Sequence, residues 1–303
     1  MLQVFHAIAP IALVLGAGYA LKRSGFPGDE FWPPAERLVY WLLFPALMVI
    51  SLANRPLDTA LLPMAAAMVG SAVAVGLLLL LARPLVPVSD PAFSSIVQGS
   101  VRFNTYIGFS AAAALYGSEG IALLTVPLAA MLPTVNIISV YGLSRYGAGG
   151  SPTPLRIATE VARNPFIVSG VIGVGLNLSG IGVPRPFDGF MQIMGGASLP
   201  IGLLAVGAGL RVGAVRERIG AITFTCIIKL LLVPTSTWLL CGLLGVEGEA
   251  VVLAVLFSGL AAAPASYVMA KIMGGDAELM SGIVTVETLL SLLTLSAILL
   301  LLL

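Results

Sequence analysis

The chain has 303 residues, of which 58% are apolar and 10% charged, and its formal net charge is +1. A mean hydropathy of +1.05 excludes a water-soluble globular domain of this length. The near-neutral charge gives no basis for nucleic-acid binding. Apolar stretches that can span a bilayer core of about 30 Å recur along the chain. The sequence therefore predicts an all-α polytopic membrane protein.

Apolar runs between charged or Pro/Gly-rich segments predict ten transmembrane spans. They lie at residues 4–22, 32–52, 60–82, 91–116, 119–142, 165–181, 188–210, 219–243, 248–272 and 278–302. The longest connection follows the fifth span. This divides the chain into a first five-helix repeat (1–142), a cytoplasmic linker loop (143–164) and a second five-helix repeat (165–303).

The distribution of Lys and Arg predicts the orientation in the membrane. Loops after odd-numbered spans hold ten of these residues, with an eleventh, Arg37, close by: Lys22, Arg23, Arg83, Arg145, Arg156, Arg163, Arg211, Arg216, Arg218 and Lys271. Loops on the opposite side hold only Arg55 and Arg185. The first side is therefore predicted to be cytoplasmic, with both termini on the outer face.

The two halves repeat each other at a constant spacing. A set of first-half residues recurs 155 positions later: Pro10, Gly18, Leu21, Ser24, Gly25 and Pro45 correspond to Pro165, Gly173, Leu176, Ser179, Gly180 and Pro200. Because each half has an odd number of spans, the second half must enter the membrane from the opposite side. The sequence thus predicts two inverted repeats.

The fourth and ninth spans are predicted to be broken helices, with breaks near residues 104–110 and 260–266 that cross near the midplane. Residues 98–117 place Gln98, Arg102, Asn104 and Thr105 inside an apolar run, and the ninth span is interrupted around Pro264. Non-helical backbone at that depth persists only where protein buries it or where it lines a cavity. Broken helices of this kind form substrate sites in secondary transporters.

Several polar residues beside the interruptions are candidates for binding. Ser110 is a candidate cap for the second half of the fourth span, and Pro264 suits the first turn of the second half of the ninth. Two helix N-termini at the midplane would favour an anion or a polar oxygen. The alternative is that Ser and Thr side chains only satisfy freed backbone groups.

Arg102, Lys229 and Glu287 are the charged residues predicted to lie deep in the membrane, at one depth. Each is costly there unless paired or hydrated, which makes each a functional candidate. The alternatives are a structural ion pair, or a Lys229 side chain that extends to the interface. For Asn136, a hydrogen bond between helices is the simpler interpretation. Tyr40 and Trp41 are interpreted as interfacial or packing residues.

The sequence gives little support to an enzyme. His6 is the only histidine, which excludes Ser-His-Asp arrangements and histidine metal clusters. The two cysteines, Cys226 and Cys241, lie in one predicted helix about 22 Å apart and cannot form a disulfide. No catalytic residue, metal site or cofactor is predicted, apart from a coupling ion that is a proton or sodium.

The motifs resemble those of the auxin efflux carrier family, which includes the plant PIN exporters and bacterial organic-acid permeases. Asn104-Thr105-Tyr106-Ile107-Gly108, with Ser110 and Tyr116-Gly117 after it, resembles the fourth-helix signature of this family, and Ala263-Pro264-Ala265-Ser266 resembles its ninth-helix counterpart. Further similarities lie in residues 229–234 and 288–294. The family is part of the superfamily of bile-acid, arsenite and riboflavin transporters.

This resemblance implies a scaffold of spans 1, 2, 6 and 7 and a mobile transport domain of spans 3–5 and 8–10. Family members carry organic anions, commonly as dimers, by an elevator-type motion. The expected protein is therefore a homodimeric carrier of a small organic anion, such as an auxin-like carboxylate, in the lipid bilayer of a bacterial inner membrane. The implied substrate-binding residues are Arg102, Asn104, Thr105, Tyr106, Gly108, Ser110, Ala263, Pro264 and Ser266, and those implied in ion coupling or charge balance are Glu287, Lys229 and Asn136.

The sequence departs from the family pattern at two positions. Ser110 stands where relatives usually have a crossover proline, and Glu287 is acidic where a small polar residue is expected. Two alternatives stay open: a sodium-coupled carrier that resembles bile-acid symporters, with Glu287 and nearby amides as cation ligands, or a membrane receptor built on a transporter fold.

Overall fold

The computed structural model describes residues 2–53, 61–148, 159, 162–163, 165–210 and 218–302. Within these ranges the regular structure is entirely helical, without a β-strand. The helices of the first half are α1 (Leu2–Arg23), α2 (Trp32–Leu38), α3 (Phe44–Ala53), α4 (Leu62–Leu81), α5 (Asp90–Val101) and α6 (Thr105–Tyr146). Those of the second half are α7 (Pro165–Leu178), α8 (Arg185–Ala208), α9 (Ile219–Ile227), α10 (Val233–Leu243), α11 (Glu249–Ser258), α12 (Ala265–Met273) and α13 (Ala277–Leu302).

Seven helical stretches of the described chain are long and apolar enough to cross a membrane: Asp29–Ala53, Leu62–Leu81, Asp90–Leu124, Val126–Tyr146, Arg185–Ala208, Ile219–Leu243 and Ala277–Leu302. Two shorter apolar helices are Val168–Leu178 and Glu249–Ser258. The prediction of an all-α polytopic membrane protein is thereby confirmed. Most of the predicted linker loop 143–164 lies outside the described residues, as do Arg55, Arg156, Arg211 and Arg216.

Two of the membrane-crossing stretches contain a π-helical turn. Val39–Leu43 joins α2 to α3, and Ile228–Leu232 joins α9 to α10. A π-turn inserts one residue into the helical spiral and is frequent at functional sites. The first turn carries Tyr40 and the second carries Lys229, so both special turns bear a side chain with polar atoms.

Two further stretches contain the interruptions. Arg102, Phe103 and Asn104 separate α5 from α6, and residues 259–264 separate α11 from α12. We call these the first and second interruption. The first lies earlier than residues 104–110, where the sequence placed it, since Gly108 and Ser110 are already inside α6. Within α6, a non-helical Gly117 with φ 60° marks the bend that separates the predicted fourth and fifth spans.

The helices pack into two groups. We call α1, α2, α3, α7 and α8 the smaller bundle, because these helices make most of their contacts with one another. The larger bundle contains α4, α5, α6, α9, α10, α11, α12 and α13, in which α6 packs against α4 and α5, and α10 against α4 and α11. The two bundles meet mainly where α1, α3, α7 and α8 touch α6.

A chain of aromatic rings connects the two bundles to both interruptions. Phe44 of α3 lies 5.4 Å from the ring of Tyr106 and 5.3 Å from that of Phe109, measured between ring centroids. The Phe257 ring lies 6.4 Å from that of Phe109 and 4.9 Å from that of Phe103. These edge-to-face contacts hold the interrupted backbone in a packed apolar core.

Candidate functional site

A cavity of about 610 Å³ lies between the two interruptions and the smaller bundle. Its walls include Arg102, Asn104, Thr105 and Tyr106 from the first interruption and the start of α6, and Ala263, Pro264 and Ala265 from the second interruption and the start of α12. The opposite wall comes from α2 with the π-turn after it, and from α8. The volume is in the range of pockets that enclose small organic ligands.

Asn104 shapes the first wall of the cavity. Its backbone is extended, with φ −90° and ψ 102°, and its Oδ1 accepts hydrogen bonds from the N–H groups of Tyr106 at 3.0 Å and Ile107 at 3.3 Å. It is therefore the N-cap of α6. The prediction that Ser110 caps this helix is wrong, because Ser110 lies in the second turn, after the orphan N–H groups have already been satisfied by Asn104.

Asn104→Ala is expected to destabilise the protein by about 1–2 kcal/mol, since it leaves two buried N–H groups without an acceptor. Asn104→Ser keeps a hydroxyl acceptor at the same position and should retain much of the stability. Thermal unfolding of the purified proteins in detergent measures the stability of both variants relative to the wild type. Equal loss in the two variants would show that the cap is not what Asn104 contributes.

Arg102 brings a positive charge to the cavity wall. Its Nη1 donates to Oδ1 of Asn136 on α6 at 2.8 Å and approaches Sδ of Met269 on α12 at 3.8 Å. Its Nε is buried without a hydrogen-bond partner. Among the described residues no carboxylate forms an ion pair with Arg102. A charged group at membrane depth without a counter-ion is a functional candidate, because isolated charge is costly there.

Charge in the cavity lining is unbalanced. Among the residues that the structure describes, the lining includes three arginines, Arg37, Arg102 and Arg163, and one acidic residue, Glu36. Arg37 is exposed, whereas Arg102 is partly enclosed. The excess of positive side chains favours an anionic over a cationic occupant.

The second wall of the cavity is made of backbone and small side chains. Pro264 precedes the first residue of α12, as its fixed φ favours, and no side chain caps this helix. The N–H groups of Ser266 and Tyr267 donate to the carbonyls of Ala263 and Pro264 in tight turns. The start of α12 therefore brings the positive end of a helix dipole to the cavity without a side-chain cap.

Lys229 and Glu287 lie elsewhere. Both side chains are buried, and their charges are near enough to interact with each other, but neither residue lines the cavity. Oε2 of Glu287 accepts a hydrogen bond from the N–H of Ala262 in the second interruption, 2.8 Å away. The structure thus places Arg102 apart from Lys229 and Glu287, the other two charged residues that the sequence predicted at the same depth.

Three further predicted site residues do not line the cavity: Gly108, Ser110 and Ser266. The hydroxyls of Ser110 and Ser266 are buried without a hydrogen-bond partner. Gly108 lies where α6 touches α11. A Cβ at this position would collide with the Phe257 ring and would lie 2.7 Å from Cδ1 of Leu260. Its missing side chain lets the two interrupted segments approach each other.

Gly108→Ala is expected to destabilise the protein by about 1–3 kcal/mol, because the added methyl overpacks the contact with Phe257. Gly175→Ala is the matched control, since nothing lies within 4 Å of a Cβ there. Thermal unfolding in detergent compares the two variants. A Gly108→Ala protein as stable as the Gly175→Ala protein would contradict the close contact.

The structure adds residues that the sequence did not single out. Tyr40 and Trp41, interpreted from sequence as interfacial or packing residues, lie on the cavity wall together with Glu36. Gly202 of α8 faces the Tyr106 ring so closely that a Cβ would lie 2.9 Å from its Cγ. No sequence signal joins α2 and α8 to the first interruption, because the contact exists only after the bundles pack.

The cavity has the composition of a binding site. Among the described residues, no group of three His, Cys, Asp or Glu side chains is placed to hold a metal ion. An arginine, two amides, tyrosines and an uncapped helix start surround a largely apolar space. Such walls hold a carboxylate by charge and hydrogen bonds and its carbon skeleton by apolar contact.

Comparison with known proteins gives one finding on the family. Residues 155–299 match the family described as membrane transport protein, which is the auxin efflux carrier family. The family expected from the motifs is thereby confirmed over this part of the chain. The family is one of integral multi-pass membrane transporters and is not an enzyme class. A comparison with curated proteins found no match.

Proposed function

We propose that this chain, whose residues 155–299 belong to the auxin efflux carrier family of membrane transport proteins, is a secondary or facilitated transporter of a small organic anion. The observation that carries the proposal is the partly enclosed guanidinium of Arg102, which lines a cavity of about 610 Å³ and has no carboxylate partner among the described residues. A substrate carboxylate would supply the missing counter-charge.

The geometry around Arg102 supports this mode of binding. Asn136 accepts a hydrogen bond from Nη1 and orients the guanidinium, whose Nε has no hydrogen-bond partner within the described chain. The uncapped start of α12 forms another part of the same cavity and adds partial positive charge. A carboxylate between Arg102 and α12 would thus contact one element of each half of the chain.

We propose that the fold is an inverted repeat of ten helices in which the two interrupted segments cross. Matched contacts in the two halves support it. A Cβ at Gly18 of α1 would collide with the backbone of Leu204 in α8, and a Cβ at Gly173 of α7 would lie 3.3 Å from the carbonyl oxygen of Val49 in α3. Gly173 lies 155 positions after Gly18, and Leu204 lies 155 positions after Val49. The same helix contact therefore occurs twice.

Transport in this proposal is an elevator motion of the larger bundle against the smaller one. The larger bundle contains both interruptions and is tied together at one end, where Asp276 and Gly274 after α12 take part in hydrogen bonds with Pro91 in the first turn of α5 and Ala148 after α6. The smaller bundle is held by the close contacts at Gly18 and Gly173. The first would be the transport domain and the second the scaffold.

The described conformation is interpreted as open to the cytoplasm. The cavity lining includes Arg37, Arg163 and Met273, which lie at helix ends that the charge distribution assigns to the cytoplasmic side. An anion would enter from that side and meet Arg102 at the inner end. The opposite conformation would require the larger bundle to move across the scaffold.

Uptake into vesicles tests the proposal directly. The full chain is reconstituted in lipid vesicles, and uptake of radiolabelled monocarboxylates is compared with that of their uncharged amides. Uptake of at least one acid above protein-free vesicles, and of its amide at the protein-free rate, is the expected result. Binding of acids without uptake would favour a receptor, and equal uptake of acid and amide would exclude the anion site.

A further inference from the structure

We propose that Glu287 is a positioning residue for the second interruption, and that Lys229 supplies from within the chain the positive charge that a bound metal cation would otherwise supply there. The inference rests on the proposed function, because the interruption that Glu287 holds forms one wall of the proposed substrate cavity. It assigns this pair a role that does not involve contact with the substrate.

A hydrogen bond joins α13 to the second interruption. Ala262 has non-helical backbone, and its N–H donates to Oε2 of Glu287 at 2.8 Å. Both residues are 0% exposed, so water cannot replace this acceptor. A buried N–H at membrane depth needs a partner, and a carboxylate is a stronger acceptor than a neutral oxygen. Glu287 therefore holds Ala262, which is adjacent to the cavity-lining Ala263.

A buried lysine lies near the Glu287 carboxylate and bears on its charge. Lys229 is 1% exposed and lies on the π-turn between α9 and α10, which packs against α13, the helix of Glu287. The two side chains do not form a direct ion pair, but their charges influence each other across this contact. The thiol of Cys226, one turn earlier, is also within electrostatic reach of Glu287. An ammonium and a carboxylate together carry no net charge, and transfer of the proton from Lys229 to Glu287 would leave that sum unchanged.

The neutrality of Lys229 and Glu287 together bears on whether a cation can bind there. A sodium ion bound at Glu287 would bring the buried group to a net charge of +1, and an uncompensated charge in the membrane interior is costly. The structure thus favours a second interruption that keeps its shape without an added cation. This weighs against the sodium-coupled alternative, in which Glu287 and amides would be the cation ligands.

A matched pair of double variants isolates the positioning role. Lys229→Met with Glu287→Gln removes both charges but keeps an amide oxygen as acceptor for the Ala262 N–H. Lys229→Met with Glu287→Leu removes both charges and the acceptor, at a similar side-chain size. Neither variant leaves an unpaired charge, so a difference between them reports the acceptor alone.

The readout is the labelling rate of a cysteine at the cavity wall. Ala265→Cys, at the exposed first residue of α12, is introduced into the full chain in each background and labelled with a charged thiosulfonate in detergent. The native Cys226 and Cys241 are buried and give the background rate. Arg37→Cys, exposed on the opposite wall, is the control position.

The labelling rate of Ala265→Cys is expected to differ by about fivefold or more between the two double variants, since only one of them satisfies the Ala262 N–H. The labelling rates of Arg37→Cys in the two double variants should agree within about twofold. Equal rates at Ala265→Cys would overturn the positioning role. This result would leave the proposed transport untouched, because labelling requires no substrate.

Comparing the labelling rates in sodium and in choline tests whether Lys229 takes the place of a bound cation. This experiment does not require the double variants to fold. With native Lys229 and Glu287, replacing sodium by choline should change the Ala265→Cys rate by less than about twofold. In Lys229→Met, the lone carboxylate should make that rate sodium-dependent. A sodium-dependent rate with both native residues present would show that a metal cation completes the site.

Discussion

Arg102→Gln is expected to weaken the binding of a transported carboxylate by about 2–3 kcal/mol, the scale of a hydrogen bond to a charged group. This corresponds to a roughly 30- to 150-fold increase in Kd. The glutamine retains polarity and much of the length of arginine but removes the charge that has no carboxylate partner among the described residues. The measurement is a binding isotherm for an acid taken up by the reconstituted protein and for its amide.

Arg37→Gln provides the matched control for Arg102→Gln. Arg37 lines the same cavity but is exposed, so solvent screens its charge, and its removal should cost less than about 1 kcal/mol. The amide should bind both variants as it binds the wild type. If Arg102→Gln binds the acid as tightly as the wild type, Arg102 is structural and the anion is held by backbone alone.

Gly202→Val is expected to slow transport by about tenfold or more, since overpacking a close contact typically costs 1–3 kcal/mol. A Cβ on Gly202 would lie 2.9 Å from Cγ of Tyr106, where the smaller bundle faces the first interruption. A valine must push the ring into the cavity or separate the two bundles. Either change alters the surface on which the larger bundle is proposed to move.

Gly196→Val in the same helix is the control for this effect, because nothing lies within 4 Å of a Cβ at Gly196. Initial rates of acid uptake into vesicles are compared for both variants, at equal amounts of folded protein. Tyr106→Leu combined with Gly202→Val should recover part of the lost rate if the ring is the obstacle. Unchanged uptake in Gly202→Val would mean that this contact is not part of the moving surface.

The sequence predicted that two helices are interrupted at the site, but it located the first interruption only approximately. The helix breaks were indicated by polar residues inside the apolar run of the fourth predicted span and by Pro264 in the ninth predicted span. The position of the first break was off by several residues, because Asn104 and Ser110 are equally good caps by residue type. Only the backbone conformation decides between them, and it gives the cap to Asn104.

The deep charges show a second limit. Position along the helices placed Arg102, Lys229 and Glu287 at similar depth. Equal depth in the membrane does not bring side chains together, because the direction in which each one points depends on the rotation of its helix. That rotation is set by packing with neighbouring helices. The structure turns Arg102 towards the cavity and Glu287 towards Ala262. The same limit explains why Tyr40 and Gly202 were not expected at the site.

The sequence by itself determined the membrane location, the helical class and the family resemblance that residues 155–299 confirm, because apolar composition, polar interruptions and local motifs are properties of short segments. It also indicated the repeat, since corresponding residues keep a constant spacing of 155 positions. Which residues face the cavity was decided only by the tertiary structure. Gly18, Gly173 and Gly202 act through close approach of helices distant in sequence, and no local pattern specifies the partner that fills the space of a missing side chain.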